Sequence, residues 1–290
     1  MLPNKYASTR NKERVRQEDT KLIEQEFSRK GRKLSYLGMP SGEMKDILTW
    51  AEYIDSCTAV EIDEVQRRKL ALNLMKYNLE GCTRILFGDI EDILIAGVDN
   101  FGNALNYTYD VVFLDFFGTI LYKDLKRVKA INCLFEKQKG HSFLLLLTFN
   151  IKQKKYSHHA IERIFDKIKK ELYGFYLYDE SITGTLKDII DRYKSNETHE
   201  MYRQKLFVPF FVKTRGENSG FKTHCYPPIF YLGFNKSPMI HFAFKLTSEL
   251  ASPTRAVSEQ TIIDIINLNV KQAERGRVKV RDKQMPQLKP

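Results

Sequence analysis

Residues 110–118 read DVVFLDFFG, and four consecutive apolar residues in this segment lead directly into the carboxylate of Asp115. An apolar run of this length between polar residues predicts a short strand that is buried on both faces. Comparable runs stand at four other places, with helical patterns between them: residues 34–37, 58–62, 83–87 and 141–148. Such alternation predicts parallel strands with helices on both faces. We therefore expect a doubly wound, mostly parallel α/β sheet.

The remaining segments extend this prediction. The helix predicted at residues 64–77 has five apolar side chains that we expect to be buried: Val65, Leu70, Leu72, Leu74 and Met75. Residues 157–173 predict a further helix, and the GENSG segment at residues 216–220 predicts a loop. Residues 205–247 change character, because LFVPFFVK, YPPIFYLGF and HFAFKLT are rich in aromatic and β-branched residues. We expect them to form antiparallel strands that close the sheet.

The basic residues are concentrated at the two ends of the chain. The 47 Lys and Arg exceed the 36 Asp and Glu, which gives a formal net charge of +11. Ten Lys and Arg stand against five acids in residues 1–33, and seven stand against two in residues 271–290. Basic segments neutralise phosphates, so we expect a nucleic acid partner, with solvated tails as the alternative. We divide the chain into three parts: a basic N-terminal arm or helix (1–33), an α/β domain (34–250) and a C-terminal helix with a basic tail (251–290).

The composition argues against several protein classes. The chain has 290 residues, 42% of them hydrophobic, but no apolar run approaches the roughly 18 residues of a membrane span. No apolar segment follows the charged N-terminus, so we expect neither a secretory signal nor membrane contact. The four cysteines form no CxxC pair and the histidines have no ligand spacing, so we expect no metal site. A reducing cytoplasm is the expected location.

Carboxylates follow the predicted strands at the edge where open parallel sheets bind ligands. Glu61 is the next-to-last residue of the second run, and Asp89 and Asp115 follow the third and fourth runs. Carboxylates at such positions can accept hydrogen bonds from ribose hydroxyls and an adenine amino group. The turn after the first run contains residues that can let a ligand approach the backbone: Gly38, Pro40 and Gly42. The pattern predicts an adenosine-binding site, and helix capping is the alternative for Glu61 and Asp89.

These residues resemble the class I S-adenosylmethionine-dependent methyltransferases, over about residues 33–150. The AVEID segment at residues 59–63 is similar to the ribose-binding segment of the rRNA adenine dimethyltransferases, which implies that Glu61 binds the ribose. The Gly-Asp pair that ends in Asp89 is similar to the family's adenine-contacting motif. The resemblance implies a Rossmann-like fold, S-adenosylmethionine as cofactor, and the turn at residues 38–42 as the site of its methionine end.

The segment DFFG at residues 115–118 resembles the D-P-F-G motif of the tRNA guanine-N2 dimethyltransferases, with phenylalanine in place of proline. This similarity implies that Asp115 accepts a hydrogen bond from the target amine and that Phe117 stacks on the base. The implied activity is methyl transfer to a base amino group of RNA or DNA. Two positions depart from the family, because Tyr36 replaces an acid and Pro40 replaces a glycine. They favour the alternative of a catalytically degenerate subunit that binds nucleic acid or a protein partner.

The same segment also resembles the D-x-D-G-T nucleophile motif of haloacid dehalogenase-type phosphatases. Phe117 stands at the general-acid position, and no acidic pair follows a later apolar run to hold Mg²⁺. Phosphoryl transfer without these groups lacks its electrostatic stabilisation, so this alternative ranks third.

Cations interleaved with aromatic residues predict a substrate-binding rim in the second half of the chain. The residues are Lys152, Lys154, Lys155, Lys213, Arg215 and Lys222. A solvated hairpin is the alternative explanation for this pattern.

Overall fold

The computed structural model describes residues 9–120, 126–150, 199–233, 236–249, 271–274 and 277–280. The described strands form one mixed sheet of ten strands. Their bounds are β1 (Leu34–Gly38), β2 (Ile54–Glu61), β3 (Thr83–Phe87), β4 (Val111–Phe116), β5 (Phe143–Asn150), β6 (Phe221–Cys225), β7 (Ile229–Leu232), β8 (Pro238–Ser248), β9 (Lys271–Glu274) and β10 (Arg277–Val280).

The strand order is β3-β2-β1-β4-β5-β8-β7-β9-β10, and β6 also pairs with β8. Strands β1 to β5 are parallel, whereas β8 runs antiparallel to β5, β6 and β7. The predicted Rossmann-like class, mostly parallel with antiparallel C-terminal strands, is confirmed. Because β1 pairs with both β2 and β4, the topological switch point of the sheet lies between β1 and β4.

Six described helices cover the sheet: α1 (Arg10–Lys30), α2 (Lys45–Trp50), α3 (Glu64–Lys76), α4 (Ile90–Ala96), α5 (Lys126–Lys137) and α6 (His199–Asn218). Helices α1 to α3 share one hydrophobic core, which includes Trp50, Val111 and Leu146. Helices α4 to α6 share the core on the other face, which includes Val112 and Leu145. Alternate residues of the central strands therefore enter opposite cores, as a doubly wound sheet requires.

The segment LFVPFFVK is part of helix α6, so the prediction that it forms a strand is wrong. Phe211 and Val212 are buried in the core shared with α5 and β8 even though Pro209 lies inside the helix. A short apolar run in a buried position has no periodicity that separates a helix from a strand. Gly216 of the predicted GENSG loop also lies in α6. The helix predicted at residues 157–173 lies outside the described residues.

The buried face of α3 is narrower than the sequence predicts. Leu70 and Leu74 are buried, but Val65, Leu72 and Met75 are more than 60% exposed, so the prediction for these three residues is wrong. Among the strands of the sheet, helix α3 packs mainly on β2 and β3, which lie at its edge. One narrow stripe of the helix is therefore enough to cover them.

The basic N-terminal segment contains helix α1, which packs on α2, β5, β7 and β9. The Thr9 side chain caps its start, and Gly31 ends it with φ 62°. Within residues 271–290, which were expected to be a tail, strands β9 and β10 pair antiparallel. The division of the chain into three parts stays a prediction. No helix in the described ranges has the length and apolar character needed to cross a membrane.

An ion cluster fixes the C-terminal end of α1 to the amino end of β4. The fully buried Asp110 lies 2.6 Å from Lys30 Nζ and 2.8 Å from the Arg32 guanidinium, and it accepts the Ser35 N–H at 2.9 Å. Burial alone would raise the pKa of Asp110, but the hydrogen bonds from Arg32 and Lys30 hold that pKa well below its ordinary value. Asp110 is therefore ionised at neutral pH.

Candidate cofactor and active site at the carboxyl edge

Glu61 is the last residue of β2, at the carboxyl edge of the sheet. Its side chain is buried, and Oε1 accepts a hydrogen bond from the Asp63 N–H at 2.8 Å. The cap of α3 is Asp63, whose Oδ1 accepts the N–H groups of Val65 and Gln66 at 2.9 and 3.1 Å. Helix capping therefore does not explain why a carboxylate stands at position 61.

Asp89 does cap a helix. Its Oδ1 accepts the Glu91 N–H at the start of α4 at 2.9 Å, and its Oδ2 lies 3.4 Å from Lys126 Nζ. The preceding Gly88 has φ 149°, and a Cβ atom there would lie 2.8 Å from Asn100 Oδ1. Helix capping therefore explains why a carboxylate stands at position 89. Asp89 nevertheless lies at the carboxyl edge of the sheet, where the sequence predicts a ligand.

Apolar side chains that the sequence analysis did not single out flank these carboxylates. Ile62 is 59% exposed and Phe101 is 68% exposed. The Phe101 ring stacks on Phe87, the last residue of β3, with 5.4 Å between ring centroids, and the Arg67 guanidinium lies over Phe87. Ile62 could have been identified from the sequence, because it is an apolar residue that directly follows the candidate ribose ligand Glu61. These surfaces offer flat contacts of the kind a purine ring needs.

The turn after β1 is closely packed. A Cβ atom at Gly38 would lie 2.0 Å from the Tyr36 hydroxyl oxygen, and one at Gly42 would lie 2.7 Å from Gln66 Oε1. Pro40 is buried. Packing against Tyr36 and against α3 therefore explains the two glycines without a ligand.

Asp115 lies in β4, opposite Thr148 of β5 in the strand register. Its Oδ2 accepts a hydrogen bond from Lys12 Nζ of α1; the Lys12 side chain is 32% exposed and that of Asp115 is 21% exposed. Burial lowers the pKa of Lys12, but the carboxylates of Asp115 and Asp46 outweigh burial and raise it above its ordinary value. Asp115, which is expected to accept a hydrogen bond from the target amine, thus already accepts one from the ammonium of Lys12.

Phe117 follows the buried Phe116 and is 68% exposed. Phe116 stacks on Phe149 in the core, with 5.6 Å between ring centroids. Arg127 of α5, itself buried, donates to the backbone oxygens of Phe117 and Thr119. The DFFG segment therefore presents Asp115 and an aromatic ring at a fixed position on the carboxyl edge.

Helix α1 adds polar side chains that the sequence analysis missed. Arg16 Nε donates to Asp46 Oδ1 at 2.5 Å, and both side chains are less than 10% exposed. One turn further along, Asp19 Oδ1 lies 2.8 Å from His241 Nε2. His241 Nδ1 lies 2.9 Å from Thr148 Oγ1. The side chains of Asp19, His241 and Thr148 are all buried. Two groups of polar contacts therefore join α1 to α2 and to the sheet.

The structure does not bring the described cations of the predicted rim to this edge. Lys222 of β6 pairs in register with Thr247, next to the amino end of β5, and Arg215 is buried in α6. Lys213 lies on the same helix, across the sheet from α1. These three residues therefore lie away from Asp115, and the prediction that they belong to a substrate-binding rim stays a prediction. The predicted rim residues Lys152, Lys154 and Lys155 lie outside the described part of the chain.

Neither a scan of protein-family models nor a search of curated protein sequences returned a match. Several solved methyltransferase structures are similar to the chain. One is the O-methyltransferase TomG from Streptomyces achromogenes in complex with SAM, with 11% identity and a TM-score of 0.43, covering 79% of this chain and 80% of that one. Another is magnesium protoporphyrin IX methyltransferase from Synechocystis with bound SAH, with 11% identity and a TM-score of 0.41, covering 82% and 86%. A third is a methyltransferase from Pyrococcus furiosus, with 13% identity and a TM-score of 0.36, covering 75% and 77%.

Proposed function

We propose that the chain is an S-adenosylmethionine-dependent methyltransferase that acts on a base amino group of a nucleic acid. The observation that carries this proposal is the set of carboxylates near the carboxyl ends of three parallel strands. Glu61 is the last residue of β2, Asp89 lies two residues after β3, and Asp115 is the next-to-last residue of β4. These positions lie on both sides of the topological switch point. A doubly wound sheet binds nucleotides at this place.

The residues at this edge fit an adenosine. We assign the ribose hydroxyls to Glu61 and the adenine amino group to Asp89. The exposed side chains of Ile62 and Phe101 supply apolar contacts for the purine ring. S-adenosylmethionine, when bound, supplies an electrophilic methyl group on a sulfonium sulfur.

Asp115 and Phe117 perform the chemistry on the substrate side. Asp115 accepts a hydrogen bond from the target amine, aims its lone pair, and stabilises the positive charge that develops on nitrogen. Phe117 stacks on the base, a contact worth about 1–3 kcal/mol that tolerates any base. In a duplex the base must first leave the stack. The target amine must also displace Lys12 from Asp115.

Calorimetric titration with S-adenosylmethionine tests the cofactor half of the proposal. Wild-type protein is expected to bind, and Glu61→Gln is expected to lower the affinity at least about tenfold, because a hydrogen bond between ribose and a charged acceptor is lost. Glu64→Gln is the matched control, since Glu64 is more exposed and pairs with Arg67 and Arg68. A folded wild-type protein that does not bind, or Glu61→Gln binding as wild type does, would contradict the proposal.

Transfer of a tritiated methyl group to bulk tRNA, rRNA or DNA tests the substrate half. Asp115→Asn is expected to reduce labelling at least about 100-fold, because the charge that stabilises the transition state is lost, while cofactor affinity changes little. Label in none of the three nucleic acids would remove the nucleic-acid substrate and leave the cofactor proposal intact.

A second candidate function is the degenerate subunit, and Tyr36 is the specific observation in its favour. The Tyr36 hydroxyl lies over Gly38, where the family resemblance places the cofactor's methionine end. If the ring blocks that place, the fold serves to bind a nucleic acid or a protein partner. Absence of cofactor binding by the folded protein would favour this candidate.

A further inference from the structure

A buried arginine of helix α1 lies beside the switch point with most of its hydrogen-bonding capacity unused. Arg16 is 8% exposed, and among the described residues its side chain donates one hydrogen bond, from Nε to Asp46. A guanidinium has five N–H donors in a planar fork. A bound anion with two oxygens would satisfy the donors that Asp46 leaves over.

A second buried polar group, the hydroxyl of Tyr36, has no hydrogen-bond partner among the residues that the structure describes. The Tyr36 side chain is fully buried, and within the described part of the chain its hydroxyl makes no hydrogen bond. Its pKa is well above the ordinary value, first because of burial and then because Asp46 and Asp115 lie near. The hydroxyl lies over Gly38 at the end of β1, and the Tyr36 ring packs edge-on against Trp50, one turn along α2 from Asp46, with 5.7 Å between ring centroids.

The charges around this hydroxyl match one kind of ligand group. A guanidinium with a free fork binds a carboxylate through two parallel hydrogen bonds. Asp46 can accept an ammonium, and the Tyr36 hydroxyl can donate or accept. An α-amino acid carries both an ammonium and a carboxylate on one carbon, so the set is complementary to a zwitterionic amino acid.

We propose that Arg16, Asp46 and Tyr36 bind the α-amino acid end of S-adenosylmethionine, so that helix α1 is part of the cofactor site. This inference rests on the proposed function and adds to it. The turn at residues 38–42 is poorly suited to this task, because Pro40 has no N–H to donate and packing occupies the space at Gly38 and Gly42. Helix α1 lies outside the segment that resembles the methyltransferases and supplies the missing cation.

The decisive experiment compares two ligands that differ only at the proposed contact. S-adenosylhomocysteine carries the amino acid group, and 5′-methylthioadenosine is the same nucleoside thioether without it. Tyr36→Phe removes a hydroxyl that makes no hydrogen bond to any described residue, so the free protein should keep its stability. The dissociation constant for S-adenosylhomocysteine is expected to rise about 3- to 10-fold, and that for 5′-methylthioadenosine to change less than about twofold.

Arg16→Lys is the second variant, because a lysine keeps the positive charge beside Asp46 but lacks the fork. It is expected to weaken S-adenosylhomocysteine about tenfold and to leave 5′-methylthioadenosine unchanged. Arg14→Lys is the matched control, since Arg14 lies on the same helix and donates to Gln17 at the surface.

Three outcomes would overturn the inference. Equal weakening of both ligands would assign the two residues to the adenosine end or to folding. Unchanged affinity for S-adenosylhomocysteine in both variants would show that neither residue touches the ligand. Failure of the wild-type protein to bind either ligand would refute the proposed function itself, and the inference would fall with it.

Discussion

Lys12→Met tests whether Lys12 competes with the target amine for Asp115. The ammonium of Lys12 contacts the Asp115 carboxylate, and about a third of one side chain and a fifth of the other are exposed. Exposed ion pairs contribute up to about 1 kcal/mol, and breaking a fully buried pair costs about 3–5 kcal/mol. Because the Lys12–Asp115 pair is partly exposed, its contribution to the free energy of unfolding should be close to that of an exposed pair, at about 1 kcal/mol.

The same free energy opposes the substrate. An amine that takes the place of Lys12 must offset about 1 kcal/mol, which corresponds to about a fivefold reduction in apparent affinity. Lys12→Met keeps the apolar stem and removes the charge, so KM for bulk nucleic acid should fall about fivefold while kcat changes little. Urea denaturation should show a loss of about 1 kcal/mol in stability, and a double-mutant cycle with Asp115→Asn should return a coupling energy of the same size.

Lys21→Met provides the control for this prediction, because Lys21 lies on the same helix and pairs with Glu18 at the surface. It should leave KM and kcat unchanged. The reasoning is refuted if Lys12→Met lowers kcat as far as Asp115→Asn does, since Lys12 would then take part in catalysis. A coupling energy of zero would show that the contact contributes nothing in solution.

Three further predictions concern stability and the substrate. Asp110→Asn should lower the free energy of unfolding by about 3 kcal/mol in urea titrations, because it leaves two cations without their buried partner. Because the folded pKa of Asp110 is depressed, its contribution should be complete above about pH 4 and be lost as the pH falls toward the folded value. Phe117→Ala should change stability by less than about 0.5 kcal/mol in the same titrations, since the ring is exposed, and should reduce methyl transfer about tenfold. Leu74→Ala should cost about 3 kcal/mol in thermal or urea unfolding, whereas the exposed Leu72→Ala should cost almost nothing.

The central strands were predictable because local sequence determines them. A strand buried on both faces must be apolar at every position, and the runs at residues 111–114 and 143–147 meet that requirement. The strand boundaries were less predictable. Strand β2 begins at Ile54, four residues before the apolar run. Asp55 and Ser56 are both exposed, and Ser56 still pairs with Ser35 of β1. The apolar segment of α6 shows the limit of the same rule, because burial on all sides removes the periodicity that distinguishes a helix from a strand.

One part of the candidate site was likewise predictable from the sequence, and another part was not. The carboxylates Glu61, Asp89 and Asp115 lie at the predicted edge because each is tied to the end of its own strand. The contacts of Arg16 with Asp46 and of Lys12 with Asp115 were not predictable, since they join residues 30 and 103 positions apart. A charge on a helix looks the same in sequence whether it faces water or a partner.

A helical stripe in the N-terminal segment was the available signal. Positions 12, 16, 19, 23 and 26 recur every three or four residues, so they share one face of α1. Ile23 in the middle of this row is fully buried. A buried apolar residue in a row of charges indicates that the charged residues face the protein as well, and hence that they have partners there.

The pairing of α1 with the sheet changes where a nucleic acid would be bound. Four cations of the basic N-terminal segment form ion pairs with carboxylates of the α/β core: Lys12, Arg16, Lys30 and Arg32. A cation in such a pair neutralises a phosphate only by giving up its partner, so these residues add little to counterion release. The proposed contact with nucleic acid therefore rests less on the N-terminal charge than the sequence suggests. It rests more on the exposed ring of Phe117 and on the cations that follow β5 in sequence: Lys152, Lys154 and Lys155.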